Sequence, residues 1–301
     1  MTPASLARLR ALYPFTSRFF DRGGGVLQHY VDDGEGDPVV FVHGNPTWSF
    51  TFRELIQALR GSHRCVAVDH VGCGLSDKPG DDAYAYTLRT RVDDLEALLA
   101  HAKVGGRVTL VAHDWGGAIA MGWATRHPEA VARVVLMNTA AFPVPATKSL
   151  PVLIKLARSP LGALLVQRFN AFARGAAVVG MSATRLSPEV RAGLLAPYEG
   201  PGDRLATLRF AEDIPLSPSD PAYAPLAEMD ARLSLLAGKP RLLVWGAKDF
   251  VFDLAILREW QLRWPDADTA VYDDAGHYVL EDAAARVVPR VVEWLAAHPV
   301  G

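Results

Sequence analysis

The sequence has little of what would bind a metal, a nucleic acid or a bilayer. Its 301 residues include only two cysteines, Cys65 in an apolar run and Cys73 in a Gly-rich turn, and neither belongs to a C-x-x-C pair or any other metal-ligand spacing. A reducing compartment and no structural metal are therefore expected. Lys and Arg (31) almost balance Asp and Glu (33), so the net charge of −2 gives no electrostatic reason to expect nucleic acid or acidic lipid. No apolar run reaches the roughly 18 residues of a membrane span. The opening stretch MTPASLARLRALYPFTSRFF lacks the continuous apolar core of a secretory signal, and the expected location is cytoplasmic. Its leucines and arginines suggest a short amphipathic helix packed on its own domain. No internal repeat or low-complexity segment is present. What remains is a globular balance, 50% apolar and 21% charged, suited to a neutral small-molecule partner.

Short β-branched runs alternate with helical spacing. Residues 39–42 (VVFV), 65–68 (CVAV), 108–111 (VTLV), 133–137 (RVVLM), 241–245 (RLLVW) and 269–272 (TAVY) are predicted as buried strands, with helices over 51–60, 87–102, 116–126, 253–264 and 283–297. This alternation predicts a doubly wound α/β fold with a mostly parallel sheet. It fails from Phe142 to Gly238, where Leu/Ala-rich, Pro-punctuated helical segments replace strands. The expected organisation is a core over 1–141 and 239–301, with a helical cap over 142–238 inserted after strand six. Open α/β sheets bind ligands at the carboxyl edge, so a cap there would enclose the site.

The strand–turn–helix segment VTLVAHDWGGAIAMGWA places Asp114 at a tight corner, with Gly116 and Gly117 allowing helix and strand to approach closely. A G-x-S-x-G elbow would carry serine there; the context is that of a nucleophile elbow in an α/β-hydrolase fold. HGNPTWS at 43–49 follows a strand and supplies a second oxyanion donor, with the Asn45 amide beside it. Asp249 in GAKDFVFD and His277 in DDAGHYVLED complete the order nucleophile, acid, histidine. Asp253 is the rival acid but reads better as a helix N-cap. After strand six stands Asn138-Thr139, which offers no carboxylate, and Asp69 reads as structural. His43 and His113 read as loop-orienting residues.

A carboxylate is nucleophilic without a base and forms an ester when it attacks saturated carbon. The corner therefore points to substrates with a displaceable group on sp³ carbon or to strained rings: alkyl halides, epoxides, β-lactones. HGNPTWS, DHVGCGLSDKP, AHDWGGAIA, GAKDFVFD and GHYVLED together resemble the haloalkane dehalogenase family of α/β-hydrolases. The phrases NTAAFPVP, FNAFARGA and RFAEDIPLSP are more similar to the cis-β-lactone decarboxylases of bacterial long-chain olefin biosynthesis. The likeness runs from about residue 15 to residue 297.

That resemblance implies an eight-stranded sheet and decarboxylation of cis-3,4-dialkyl-β-lactones to cis-olefins and carbon dioxide. The alternative is haloalkane hydrolysis through an alkyl-enzyme ester. It implies Asp114 as nucleophile, His277 as base, Asp249 as its partner, and Asn45 with Trp115 as anion-binding donors, with no cofactor and no metal. Dehalogenases often add a halide-binding aromatic from the cap. No tryptophan occurs between Trp123 and Trp245, leaving Phe142, Phe169, Phe172 and Phe210 as pocket candidates. Epoxide opening would call on Tyr198 or Tyr223. The resemblance also leaves room for a homodimer and for association with the β-lactone synthetase and other olefin-pathway enzymes.

Overall fold

The computed structural model describes residues 9–300 apart from 146–147 and 149–151. Eight strands form one sheet: β1 (Ser17–Asp21), β2 (Leu27–Asp33), β3 (Pro38–Val42), β4 (Arg64–Val68), β5 (Val108–His113), β6 (Val131–Met137), β7 (Arg241–Gly246) and β8 (Asp268–Tyr272). Their order is β1-β2-β4-β3-β5-β6-β7-β8, antiparallel at β1/β2 and β2/β4 and parallel elsewhere. The central strands β5, β6 and β7 are buried at every position, which is why their apolar runs are continuous rather than alternating.

Helices α1 (Arg53–Leu59), α2 (Leu88–His101) and α3 (Trp115–Arg126) follow β3, β4 and β5. Between β6 and β7 every described α-helix or strand is helical: α4 (Val152–Ala157), α5 (Pro160–Phe169), α6 (Ala171–Val179), α7 (Pro188–Leu195), α8 (Leu205–Glu212) and α9 (Tyr223–Arg232). Then come α10 (Leu254–Arg263), α11 (Val279–Asp282) and α12 (Ala284–Ala297). Two apolar clusters divide the core; Trp260 and Met121 belong to one, Trp294 and Leu55 to the other.

Residues 1–8 of the expected amphipathic helix lie outside the described residues, and the last four residues of that stretch, 17–20, belong to β1. Pairing with β2, from Ser17↔Val31 to Asp21↔Leu27, overrides the helical spacing. No helix among the described residues is long and apolar enough to cross a membrane.

Parallel register assembles the site. Val42 pairs with Ala112 and Met137 with Val244, so the loops leaving β3, β5, β6 and β7 emerge at one carboxyl edge.

Candidate active site

Asp114 occupies the corner between β5 and α3 with φ 53°, ψ −133°, a left-handed backbone that L residues rarely adopt. Close packing enforces it. A Cβ on Gly44 would lie 2.1 Å from Asp114 Oδ1, one on Gly116 2.0 Å from Val42 O, and one on Gly117 2.0 Å from Thr139 Oγ1. The Thr139 hydroxyl donates to the Asp114 carbonyl.

The two carboxylate oxygens have different surroundings. Oδ1 accepts the Asn45 N–H at 2.6 Å, with the Trp115 amide also bonding the carboxylate. Oδ2 faces His277 Nε2 at 3.6 Å. Burial raises the Asp114 pKa above the usual carboxylate value, outweighing the opposing pull of His277 and the two amides. An Oδ1 anchored by Asn45 beside an Oδ2 facing the histidine is the arrangement of a carboxylate held to form a bond through one oxygen.

His277 is held from behind. Its Nδ1 is 2.8 Å from Asp249 Oδ2. That same oxygen accepts the Asn138 amide at 2.9 Å, while Asp249 Oδ1 accepts the N–H groups of Val251 and Phe252 at 2.7 and 3.1 Å. Burial alone would raise the Asp249 pKa, but the His277 charge and these hydrogen bonds hold it below the usual range. Burial would likewise lower His277; Asp249, by charge and hydrogen bond, and then Asp114 reverse the sign and raise it. Asp253 accepts from Ala255 and Ile256 at the start of α10, the N-cap expected of it.

The loop His43–Ser49 is fixed by a histidine pair. His43 Nε2 accepts the His70 N–H at 3.0 Å, so its Nδ1 donates to Gly44 O at 2.7 Å, and His70 Nε2 donates to His43 O at 2.8 Å. His113 Nε2 donates to the His277 carbonyl at 2.9 Å. Asp69 accepts from Ser49 and Leu75 N–H groups and from His29, ordering the neighbouring turn.

A cavity of about 210 Å³ opens above Asp114, and Asn45, Trp115 and His277 line it with the nucleophilic carboxylate. The rest of its wall is almost wholly apolar and comes largely from the helical segment, including Phe172, Ala176 and Val179 of α6. The Asn45 side-chain N–H donates to Thr207 O at 3.1 Å, which fixes the amide and leaves its second hydrogen for a ligand. No described acceptor takes the Trp115 indole N–H.

Of the four predicted phenylalanines, Phe142 and Phe172 line the cavity. Phe169 does not: it ends α5 with 61% of its surface exposed. Phe210 does not either, because it packs inside the core with its ring 5.8 Å from Trp115 and the Arg91 guanidinium 3.6 Å from its centroid. Among the lining residues that escaped the sequence reading are Phe250, Phe252 and Lys148. Phe252 stacks on His277 at 5.9 Å, and Lys148 Nζ pairs with Asp253 at 2.5 Å. The F-V-F alternation after Asp249 signalled the first two; a lone lysine carried no signal.

A family model described as alpha/beta hydrolase fold matches residues 37–284. The cis-3-alkyl-4-alkyloxetan-2-one decarboxylase of Shewanella oneidensis is 46% identical, the alignment covering 95% of this chain and 90% of that one. Its counterpart in Xanthomonas campestris is 42% identical over 96% and 98% of the two chains. Haloalkane dehalogenase 2 of Mycobacterium bovis is 34% identical over 94% and 96%. Among solved structures, the haloalkane dehalogenase DatA of Agrobacterium tumefaciens superposes with a TM-score of 0.83 at 27% identity, over 94% of this chain and 97% of that one. The Asp-His-Asp site, the fold and these near-full-length likenesses agree: the chain is an enzyme of the α/β-hydrolase family, in the group that holds the cis-3-alkyl-4-alkyloxetan-2-one decarboxylases and the haloalkane dehalogenases.

Proposed function

We propose that the protein decarboxylates cis-3,4-dialkyl-β-lactones to cis-alkenes and carbon dioxide, with Asp114 as nucleophile. The observation that carries this reading is the Asp114 carboxylate, with Oδ2 facing His277, at the base of an apolar cavity, in a chain 46% identical to a decarboxylase of that class. Residues 142–238 act in it as a cap that closes alkyl chains over the nucleophile.

Oδ2 attacks the ring carbon bearing oxygen with inversion. The carbon–oxygen bond breaks, its electron pair stays on the departing carboxylate, and an Asp114 alkyl ester forms. The Asn45 amide and the Trp115 indole N–H bind that carboxylate. Next the bond to the carboxylate carbon breaks anti to the ester. Its electrons form the alkene, carbon dioxide leaves, and the ester electrons return to Asp114. The Asn45 and Trp115 backbone N–H groups stabilise the carboxylate being regenerated. Inversion followed by anti loss preserves cis geometry. Neither step consumes water, and none transfers a proton.

Haloalkane hydrolysis is the second reading, since the same Asp114 and His277 would serve it. The helical segment contributes no tryptophan to the described cavity wall, and this favours the lactone. Tyr198 turns its hydroxyl to Thr47 O at 3.3 Å, and neither it nor Tyr223 lines the cavity, which disfavours epoxide opening. A reactive lactone also favours handover from the synthetase that closes it, within a cytoplasmic olefin-forming assembly of these enzymes. Supplying a synthetic cis-3,4-dialkyl-β-lactone and following products by gas chromatography tests the proposal: cis-alkene is expected, whereas trans-alkene or β-hydroxy acid would contradict it.

A further inference from the structure

The net charge of the whole chain conceals a segregation. From Ala130 to Pro188 the sequence contains seven Lys and Arg and no Asp or Glu. Arg133 is buried, while Lys148 and Arg158 pair with Asp253 and Asp220. Lys155, Arg168 and Arg174 are exposed and have no acidic partner among the described residues.

Those cations stand among exposed apolar side chains at helical spacing. Helix α4 presents Val152, Lys155 and Leu156; α5 presents Leu161, Leu164 and Arg168; α6 presents Arg174 and Val178. Apart from the adjacent Lys155 and Leu156, these are offsets of three, four and seven residues, one outward face per helix. Val152 is 78% exposed, Val178 62% and Leu161 58%. The three helices are consecutive, and α5 packs against both α4 and α6. The other side of α6 is the cavity wall, and Val179 belongs to both: it lines the cavity and is 46% exposed.

So many exposed apolar residues in contacting helices exceed the scattered singles of an ordinary surface. A second copy docked face to face would offer these three cations no acidic side chain, because residues 152–179 contain no Asp or Glu. An anionic lipid surface instead accepts both halves of the pattern, the cations at phosphate level and the leucines and valines just below it.

We propose that α4, α5 and α6 dock this face on an anionic lipid surface, with the cavity wall next to the acyl chains. Direct passage of alkyl chains between bilayer and cavity rests on the lactone reading above; the docking itself does not.

Co-sedimentation of the purified protein with phosphatidylcholine vesicles, with and without phosphatidylglycerol, tests the docking without any substrate. Binding is expected with phosphatidylglycerol at low ionic strength, to weaken as salt is added, and to be slight on phosphatidylcholine alone. Replacing Lys155→Glu, Arg168→Glu and Arg174→Glu together should lower the partition constant by roughly a hundredfold or more. Leu161→Ser with Leu164→Ser should weaken it as well. All five positions lie on the surface, so circular dichroism and thermal midpoint should match the parent protein. The proposal is overturned if the parent protein ignores phosphatidylglycerol or if both variants bind as well as it does. It is also overturned if the parent is a dimer without lipid affinity that Leu164→Ser dissociates, which would make the face a contact between copies.

Discussion

His277 Nε2 stands 3.6 Å from Asp114 Oδ2, beyond hydrogen-bond reach yet within the range of an ion pair. The gap leaves Oδ2 unhindered while the imidazole still acts on it by charge. A base that had to deprotonate its nucleophile would need closer contact; a carboxylate has no proton to lose above its pKa.

Attack requires ionised Asp114. Burial raises its pKa, so kcat/KM should fall on the acid side through a pKa above the ordinary carboxylate value of about 3.9. A pH profile of alkene formation checks this. A limb at or below that value would show that Asp114 ionisation is not what limits the free enzyme.

The two-step route has no proton transfer, so His277 contributes charge alone. His277→Ala should slow alkene formation by about 10- to 100-fold, against at least about 1000-fold for Asp114→Ala. With a bromoalkane probe the same His277→Ala variant should accumulate a stable ester on Asp114, visible as added mass. Equal losses for the two variants with the lactone would assign His277 a proton transfer.

Ala176 lines the cavity from α6. Ala176→Leu should shorten the space available to alkyl chains, and each methylene kept out costs about 0.8 kcal/mol, or roughly fourfold in kcat/KM. Short-chain lactones should be spared. A uniform loss across chain lengths would mean that this wall does not measure length.

Stability should fall as pH drops below neutrality. Burial lowers the pKa of His43; burial and then His43 take His70 well below its usual value; burial and then His277 take His113 to about 3. All three stay neutral when folded, whereas the unfolded chain takes up protons near pH 6.5 or so. Their contribution is therefore complete above about 6.5 and is lost as pH decreases. His277, whose pKa is raised, has the opposite sign. Urea midpoints should decline between about pH 7.5 and about pH 5.5; a rise would show that His277 outweighs the other three.

The central strands and the order Asp114, Asp249, His277 were legible because each rests on local chemistry. VVFV and VTLV are buried on both faces, and the elbow needs its glycines. SRFFD and LQHYVDD were missed because β1 lies at the sheet edge with four of its five residues exposed, and LQHYVDD lacks a continuous apolar run. Helix phase relative to a cavity is a tertiary fact. Phe169 and Phe172 look alike in the sequence, yet the left-handed Asn170 ends α5 between them and starts α6 in a new direction, leaving one in solvent and the other on the cavity wall. Asn138 was read only as a missing carboxylate, although its amide holds Asp249. The acid-free stretch from Ala130 to Pro188 was readable, but a net charge of −2 averaged it away.

The central claim is that fragmentation, not hydrolysis, frees Asp114. Many turnovers of a cis-β-lactone in ¹⁸O-enriched water, followed by mass measurement of the peptide containing Asp114, test it most directly. The account predicts abundant cis-alkene and no label in the peptide. Label accumulating in Asp114 would mean that water cleaves an ester or anhydride there, and would contradict it.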